Sequence, residues 1–517
     1  MPNAINRRAV LATLAAASVA SPARAADSRP SLTLGVQSSP QSLEPLREFS
    51  NVSWRIGYNV FEGLLSIDYQ HGFKLKPALA TVWQRLSPTM MEFTLREGVR
   101  FHNGDVMTAE DVAFSFGPER MTGDAAPGAP IAKVFVGSIE RVEARDARTV
   151  RVTTRTTDPL LEQRLAGWGA QIISKRAFLA APSYAAWERA PVGTGPYRVK
   201  DFSIDIACTL AAHDAYHGGT PPAREIQFRV MPELAARVAA LATGEADMIT
   251  EVSVDQVPQI KAMPNREVVG GPILNFRVLV FDQTNPVLAD PRIRRALALS
   301  IERQAIVEAL YLNTTRATAA FQHPAFGALY DATRPGTAYN PDLARQLLRD
   351  AGYTGAEISY RIQPGYYTLQ LQTAQILQEM WRAVGLNVKL EVRESWSQVL
   401  DPKGRAIRDW SNSVLFQDPV GALTRLYGPR SPVQTGTKEW ANAAFNRDAE
   451  ILETSLDTAE RRAAFTRLLD IYETSDPPGA ILHDVVMLYG KRRGIDWQPY
   501  PVEYMDFGPG NLRFSQG

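Results

Sequence analysis

Two histidines four residues apart, His213 and His217, have the spacing that sets two metal ligands on one face of a helix. Their segment, His213-Asp214-Ala215-Tyr216-His217-Gly218-Gly219, leads into Pro221-Pro222. That is loop composition, and a zinc site would need a third protein ligand besides. We therefore expect a surface loop and no metal. Gly193-Thr194-Gly195 lacks the third glycine of a dinucleotide fingerprint, and no phosphate-cradling Gly-rich loop ending in Lys-Ser or Lys-Thr is present. Ser174 and Lys175 are adjacent, which does not match Ser-x-x-Lys, and there is no Gly-x-Ser-x-Gly elbow. Glu110-Asp111 sits where a helix begins, and the helix dipole accounts for both acids there. No nucleophile is matched with a base, so we expect no catalytic residue and no cofactor.

The elements that carry these residues follow from periodicity. Ser31 to Val36, Met91 to Leu95 and Arg148 to Thr153 alternate as strands do. Thr108-Ala109-Glu110-Asp111 ahead of Val112, Phe114 and Phe116 reads as a capping box that opens a helix. Glu225 to Val230 predicts a strand, Met231 to Ala242 a helix closed by Gly244, and Met248-Ile249 another strand. Asp290-Pro291 and Asn340-Pro341 each pair an N-cap with a first-turn proline. Thr368 to Ala383 predicts a helix feeding a strand from Asn387 to Val392. Arg461 to Tyr472 predicts a late helix, and Ala480 to Tyr489 a final apolar strand. Strand and helix signals alternate, so the fold class is α/β or mixed α and β.

The first 25 residues stand apart. Arg7-Arg8, an apolar run over residues 9–20, then Ala23-Arg24-Ala25 describe a secretory signal peptide cleaved near Ala25. Asn6-Arg7-Arg8-Ala9-Val10-Leu11 resembles a twin-arginine signal, and the general export route is equally open. The run is shorter than the about 20 residues that span a bilayer. Without this segment the chain carries 53 basic groups against 55 acidic ones. A nearly neutral surface argues against nucleic acid as a partner. Cys208 is the only cysteine, so no internal disulfide can form in an oxidising compartment, and stability rests on the cores. At 517 residues there is length for about three domains.

Six stretches, in order, carry a family resemblance. They are Tyr58-Asn59-Val60-Phe61-Glu62-Gly63-Leu64-Leu65; Phe93-Thr94-Leu95-Arg96-Glu97-Gly98-Val99-Arg100-Phe101-His102-Asn103-Gly104-Asp105 with Thr108 to Val112; Val192-Gly193-Thr194-Gly195-Pro196-Tyr197; Leu241-Ala242-Thr243-Gly244-Glu245-Ala246-Asp247; Arg292-Ile293-Arg294-Arg295-Ala296 with Ile301-Glu302-Arg303; and Asn340-Pro341 with Leu347-Leu348 and Ala351-Gly352-Tyr353. Together they resemble the extracellular solute-binding proteins that include the dipeptide- and oligopeptide-binding members. Read locally, most of these residues have a scaffold task. Gly193, Gly195 and Pro196 suit a turn that a side chain would block, and Phe101 to Gly104 suits a strand ending in a turn.

The resemblance implies a two-lobed binding protein, type II-like and of class C. Lobe one would comprise residues 26–278, with a subdomain inserted over about 66–190, and would regain residues 485–517. Lobe two would span 279–484. Two crossing strands, near Asn275 to Val280 and Asp484 to Tyr489, would form the hinge. A small-molecule ligand would be held in the seam, handed to the permease subunits of an ABC importer, and the protein would act as a periplasmic monomer. The seam would be lined from lobe one by Gln37 and Trp168. From lobe two it would be lined by Tyr366, Tyr367, Trp396, Trp410 and Phe416, with Arg361, Arg393 and Arg408 as candidate receivers of a carboxylate. Peptide-binding members place an Asp three residues before an acid-proline pair, where it holds the peptide ammonium. Here that pair is Asp418-Pro419, and Leu415 stands in the place of the Asp. A peptide thus shares the field with a substituted amino acid, an opine-like conjugate or a glycoside. Two other functions fit such a scaffold: a secreted hydrolase, and a chaperone or sensor that uses the cleft.

Overall fold

The structure is a computed structural model that describes residues 27–48, 50–123, 126–364 and 367–515. The proposed signal peptide and Tyr366 lie outside the described residues. Among the described residues, no helix is long and apolar enough to cross a membrane.

Two long antiparallel strands, Arg266–Phe281 and Gly479–Arg492, run through the middle of a ten-stranded sheet and join its two sides. They pair from Arg266 opposite Arg492 to Val280 opposite Gly479, and the ladder is irregular between Pro272 and Phe276. Proline brings no N–H to a ladder, so an interruption at Pro272 is where the chain can deviate at least cost. On one side lie Met248–Ile249, Ser31–Val36, Glu225–Val230, Ala207–Ala212 and Tyr197–Ser203. On the other lie Ile407–Ser413, Ile358–Ile362 and Val388–Val392.

A separate four-stranded sheet has the order Ala80–Ser87, Met90–Leu95, Thr149–Thr154, Ile139–Ala144. Its strand Met90–Leu95 alternates in burial and points Met91, Phe93 and Leu95 into a core shared with Leu79, Val112, Val150 and Val152. The capping box expected at Thr108 is present, with Asp111 as its acid, and it opens the helix Ala109–Ser115. Asp290 and Asn340 cap Pro291–Leu299 and Pro341–Asp350 as their prolines predict.

Two expected boundaries move for clear reasons. The helix expected from Met231 begins only at Leu234 and runs to Thr243. Met231 precedes Pro232, and the residue before a proline is pushed out of the helical region. The late helix likewise starts three residues earlier than expected, at Thr458, because Asp457 caps it by accepting from Ala459 and Glu460.

Candidate functional site

Strand direction and register mark a candidate site. Ser31–Val36 runs parallel to Glu225–Val230 and to Met248–Ile249, and its carboxyl end reaches the level of Val269 on the first crossing strand. Ile358–Ile362 runs parallel to Val388–Val392 and to Ile407–Ser413, and the last of these ends with Ser413 opposite Asn275. The two sets run in opposite directions, so their carboxyl ends converge on residues 270–275 from the two sides. In open α/β sheets, ligands sit outside the carboxyl ends of the strands. Here two such sets of ends face one another across the irregular part of the crossing strands.

The side chains at this convergence are polar and aromatic. On one side, Gln37 follows the strand end and its Oε1 accepts from Arg55 Nη1 and Thr250 Oγ1, both at 3.0 Å. Buried Arg55 also pairs with Glu251. Trp168 is buried; its Nε1 donates to the Pro45 carbonyl at 2.9 Å, and its ring lies 6.4 Å from that of Tyr504. On the other side, Tyr367, Trp396 and Trp410 form a run of rings, with 6.4 Å between the first two and 5.7 Å between the second two. The Arg277 guanidinium stacks 3.5 Å from the Tyr367 ring and pairs with Asp409 at 2.6 Å. Of the expected residues, the structure sets Tyr367, Trp396 and Trp410 in one group, and Gln37 and Trp168 lie on the other side. Sequence reasoning missed Arg277, which the sequence signals as a lone charge inside the apolar stretch Ile273-Leu274-Asn275-Phe276-Arg277-Val278-Leu279.

The expected carboxylate receivers each have an acid partner inside the protein. Arg408 is buried and forks both oxygens of Glu439 at 2.6 Å. Arg361 is also buried; it pairs with Glu391 at 3.1 Å and donates to the carbonyls of Asp401 and Lys403. Arg393 shares the same Glu391. Asp418 is buried, caps Pro419–Gly421 and takes Arg461 Nη2 on both oxygens at 2.9 Å. A buried charge without a partner is costly, and the buried ones, Arg361, Arg408 and Asp418, are each matched inside the protein. Phe416 is buried under the Arg164 guanidinium at 4.7 Å. Leu415 is half-buried and packs against the large core, and its backbone N–H donates to Gly421.

The polar groups left at the convergence come from unexpected places. Glu503, in the returning C-terminal tail, accepts from Ser413 Oγ at 2.7 Å and Asn275 Nδ2 at 3.1 Å, and burial pushes its carboxyl above the usual range. Arg425 donates to Asn412 Oδ1 and to the Ser413 carbonyl, and burial lowers its guanidinium to about 10. No local pattern marks either residue.

His483, on the second crossing strand, is buried 4.5 Å from the Tyr311 ring, and Nδ1 meets the Asp484 carbonyl at 2.7 Å. Burial first, then the charge of Arg277, lower its pKa to about 4. The unfolded chain takes up this proton near 6.5, before the folded one does. The contribution of His483 to stability is therefore intact above 6.5 and is lost as pH falls toward about 4. Urea midpoints at pH 7 and pH 5 are expected to drop on acidification, and His483→Gln to lessen that drop. An equal drop in both proteins would assign the titration elsewhere.

Comparison with known proteins accords with this geometry. The sequence model of the bacterial extracellular solute-binding proteins, family 5 Middle, matches residues 74–431. The chain is 26% identical over 436 residues, 78% of each sequence, to heme-binding protein A of Haemophilus influenzae. It is 25% identical over 476 residues, 88% of each, to the glutathione-binding protein GsiB of Pectobacterium atrosepticum. The periplasmic binding protein DppA of Helicobacter pylori, solved in complex with the peptide STSA, superposes with a TM-score of 0.79 at 21% identity, over 94% of this chain and 99% of that one. This likeness shows the fold, the two-lobed class C architecture expected from the sequence. The chain belongs to the family 5 bacterial extracellular solute-binding proteins, the non-enzymatic substrate-binding components of ABC importers.

Proposed function

We propose that this protein is exported to the periplasm, closes its two halves over a peptide or peptide-sized molecule, and presents it to the permease subunits of an inner-membrane importer. The observation that carries this reading is the convergence of two opposed sets of strand carboxyl ends on residues 270–275. The crossing strands act as the hinge, and their irregularity at Pro272 supports bending there. Ligand contacts made by both halves favour the closed state. The relatives are named for heme and for glutathione, and one related structure holds a peptide, so the scaffold accepts different guests. In this chain Trp396 and Trp410 stack, with Tyr367 edge-on to Trp396, and together offer an aromatic surface, while Glu503 bonds Asn275 at the convergence. Leu415 cannot pair with an ammonium, which favours a guest whose amino group is substituted or held by Glu503.

Mass spectrometry of the small molecule that co-purifies, with scattering profiles before and after its removal, tests the reading. A compact-to-open change on removal is expected; identical profiles would end it. Leu415→Asp is expected to tighten the binding of dipeptides with a free amino terminus by about tenfold, the scale of one charge-assisted hydrogen bond. Unchanged dipeptide binding would remove residue 415 from the guest's surroundings.

A further inference from the structure

A cavity of about 330 Å³ lies wholly to one side of the crossing strands. Its lining comes only from residues within 58–217 and 504–506, and of the side chains at the convergence described above it shares only Trp168 and Tyr504. Three of the motifs that read as scaffold meet in it: Glu62 comes from the first, Arg96 from the second and Pro196 from the third. The loop expected at His213 to Gly219 closes it with Tyr216 and His217.

The lining has three chemistries. Acid is supplied by Glu62 and Asp506. Glu62 accepts from Thr194 Oγ1 at 2.9 Å and Tyr216 Oη at 3.2 Å, with His217 Nε2 at 3.0 Å. Asp506 accepts from Tyr500 Oη at 2.6 Å and from the Gly508 N–H at 2.7 Å. Neither carboxylate pairs with a lysine or arginine among the described residues. Base is supplied by Arg96 and Lys76. Arg96 spends its Nε on the Ala78 carbonyl at 2.9 Å, and among the described residues neither cation has a carboxylate within ion-pair distance. The third chemistry is an aromatic wall. Tyr504 stacks on Tyr58 with ring centres 4.9 Å apart and on Trp168 at 6.4 Å, both at 24°.

Charges of both signs, the acids in no ion pair with lysine or arginine and the bases in none with a carboxylate among the described residues, line one cavity and call for a guest that bears both. The wall calls for a flat apolar body. The volume lies at the low end of small-ligand sites, which run from about 300 Å³ upward, and suits a molecule of about a dozen non-hydrogen atoms. We propose that this cavity is a second binding site and that it takes a free aromatic α-amino acid. The carboxylate meets Arg96 and Lys76, the ammonium meets Glu62 and Asp506, and the ring lies against Tyr58, Tyr504 and Trp168.

The test is calorimetric titration of the full mature chain with L-phenylalanine, and with phenethylamine and 3-phenylpropionate, each of which lacks one charge. Phenylalanine is expected to bind one site, and each analogue about tenfold or more weakly, as loss of a charge-assisted hydrogen bond requires. Arg96→Gln is expected to weaken phenylalanine by a similar factor. Lys76→Gln, at an exposed strand position, is expected to weaken it about threefold, the scale of a more solvated charge. Trp410→Ala, on the far side of the crossing strands, is expected to leave phenylalanine binding unchanged while weakening the co-purified molecule, so failure at one site is distinguishable from failure at the other. Absence of heat at millimolar phenylalanine, equal binding of all three compounds, or binding indifferent to both Arg96→Gln and Lys76→Gln would overturn the proposal. So would a crystal structure that seats phenylalanine among Tyr367, Trp396 and Trp410.

Discussion

Glu439→Ala is expected to lower the unfolding free energy by about 3–5 kcal/mol, the range for removing one partner of a buried ion pair. Glu439 is fully buried and accepts both N–H arms of Arg408 at 2.6 Å, the Thr437 hydroxyl at 2.6 Å, and the approach of Arg405 at 3.4 Å. Burial pushes its carboxyl up, but Arg408 and then Arg405 more than offset this and hold it below the usual carboxylate range. Without it, Arg405 keeps Asp282 at 2.8 Å, but Arg408 is left as a buried cation with no acid. The pair also ties the strand Ile407–Ser413 to the segment before the helix Ala443–Thr454, so its loss is not confined to one element. Urea unfolding at pH 7 measures the change. The carboxylate's contribution is present above its unfolded value near 4.5 and fades as pH falls through its lower folded value, so the gap between parent and variant should narrow in acid. A loss under about 1 kcal/mol would place the pair among the weak surface bridges and refute its assigned role.

Gly193→Ala is expected to cost at least about 2–3 kcal/mol, the upper part of the range for overpacking. A Cβ at Gly193 would fall well inside contact distance of the Val60 carbonyl oxygen and 2.8 Å from the Phe61 ring. The loop cannot back away, because it is held by hydrogen bonds on both sides. The Gly193 carbonyl accepts from the His102 N–H at 3.0 Å, its N–H donates to His102 Nδ1 at 3.3 Å, and Gly195 N–H donates to the Val60 carbonyl at 3.0 Å. Gly271→Ala is the control. Its Cβ would meet nothing within 4 Å, so a change within about 0.5 kcal/mol is expected there. Equal thermal midpoints for the two variants would show that close approach is not why residue 193 is a glycine.

Much of the scaffold was legible because its causes are local. Thr108 and Asp111 cap within three residues, Asp290 and Asn340 cap ahead of their prolines, and Ser31–Val36 and Glu225–Val230 begin and end where alternation says. The loop at His213 was legible as well, although its use was not: His217 reaches back to Glu62, and His213 packs edge-on against His102 at 4.9 Å. The three expected aromatic residues Tyr367, Trp396 and Trp410 do meet, although of the strands that carry them to one place the pattern located only the one ending at Val392, which Trp396 follows.

The amino-acid order by itself determined the class, the strand and helix sequence, and the residue types available near the strand ends, because these depend on periods of two and 3.6 and on capping within a turn. Which charges stay free for a guest was decided only in three dimensions. Arg408 and Glu439 are 31 residues apart, Arg461 and Asp418 43, and Glu503 meets Ser413 across 90. Local sequence carries no sign of such pairings. Burial then makes the outcome strict, since a charge withdrawn from water must find its partner in whatever part of the chain the fold brings beside it.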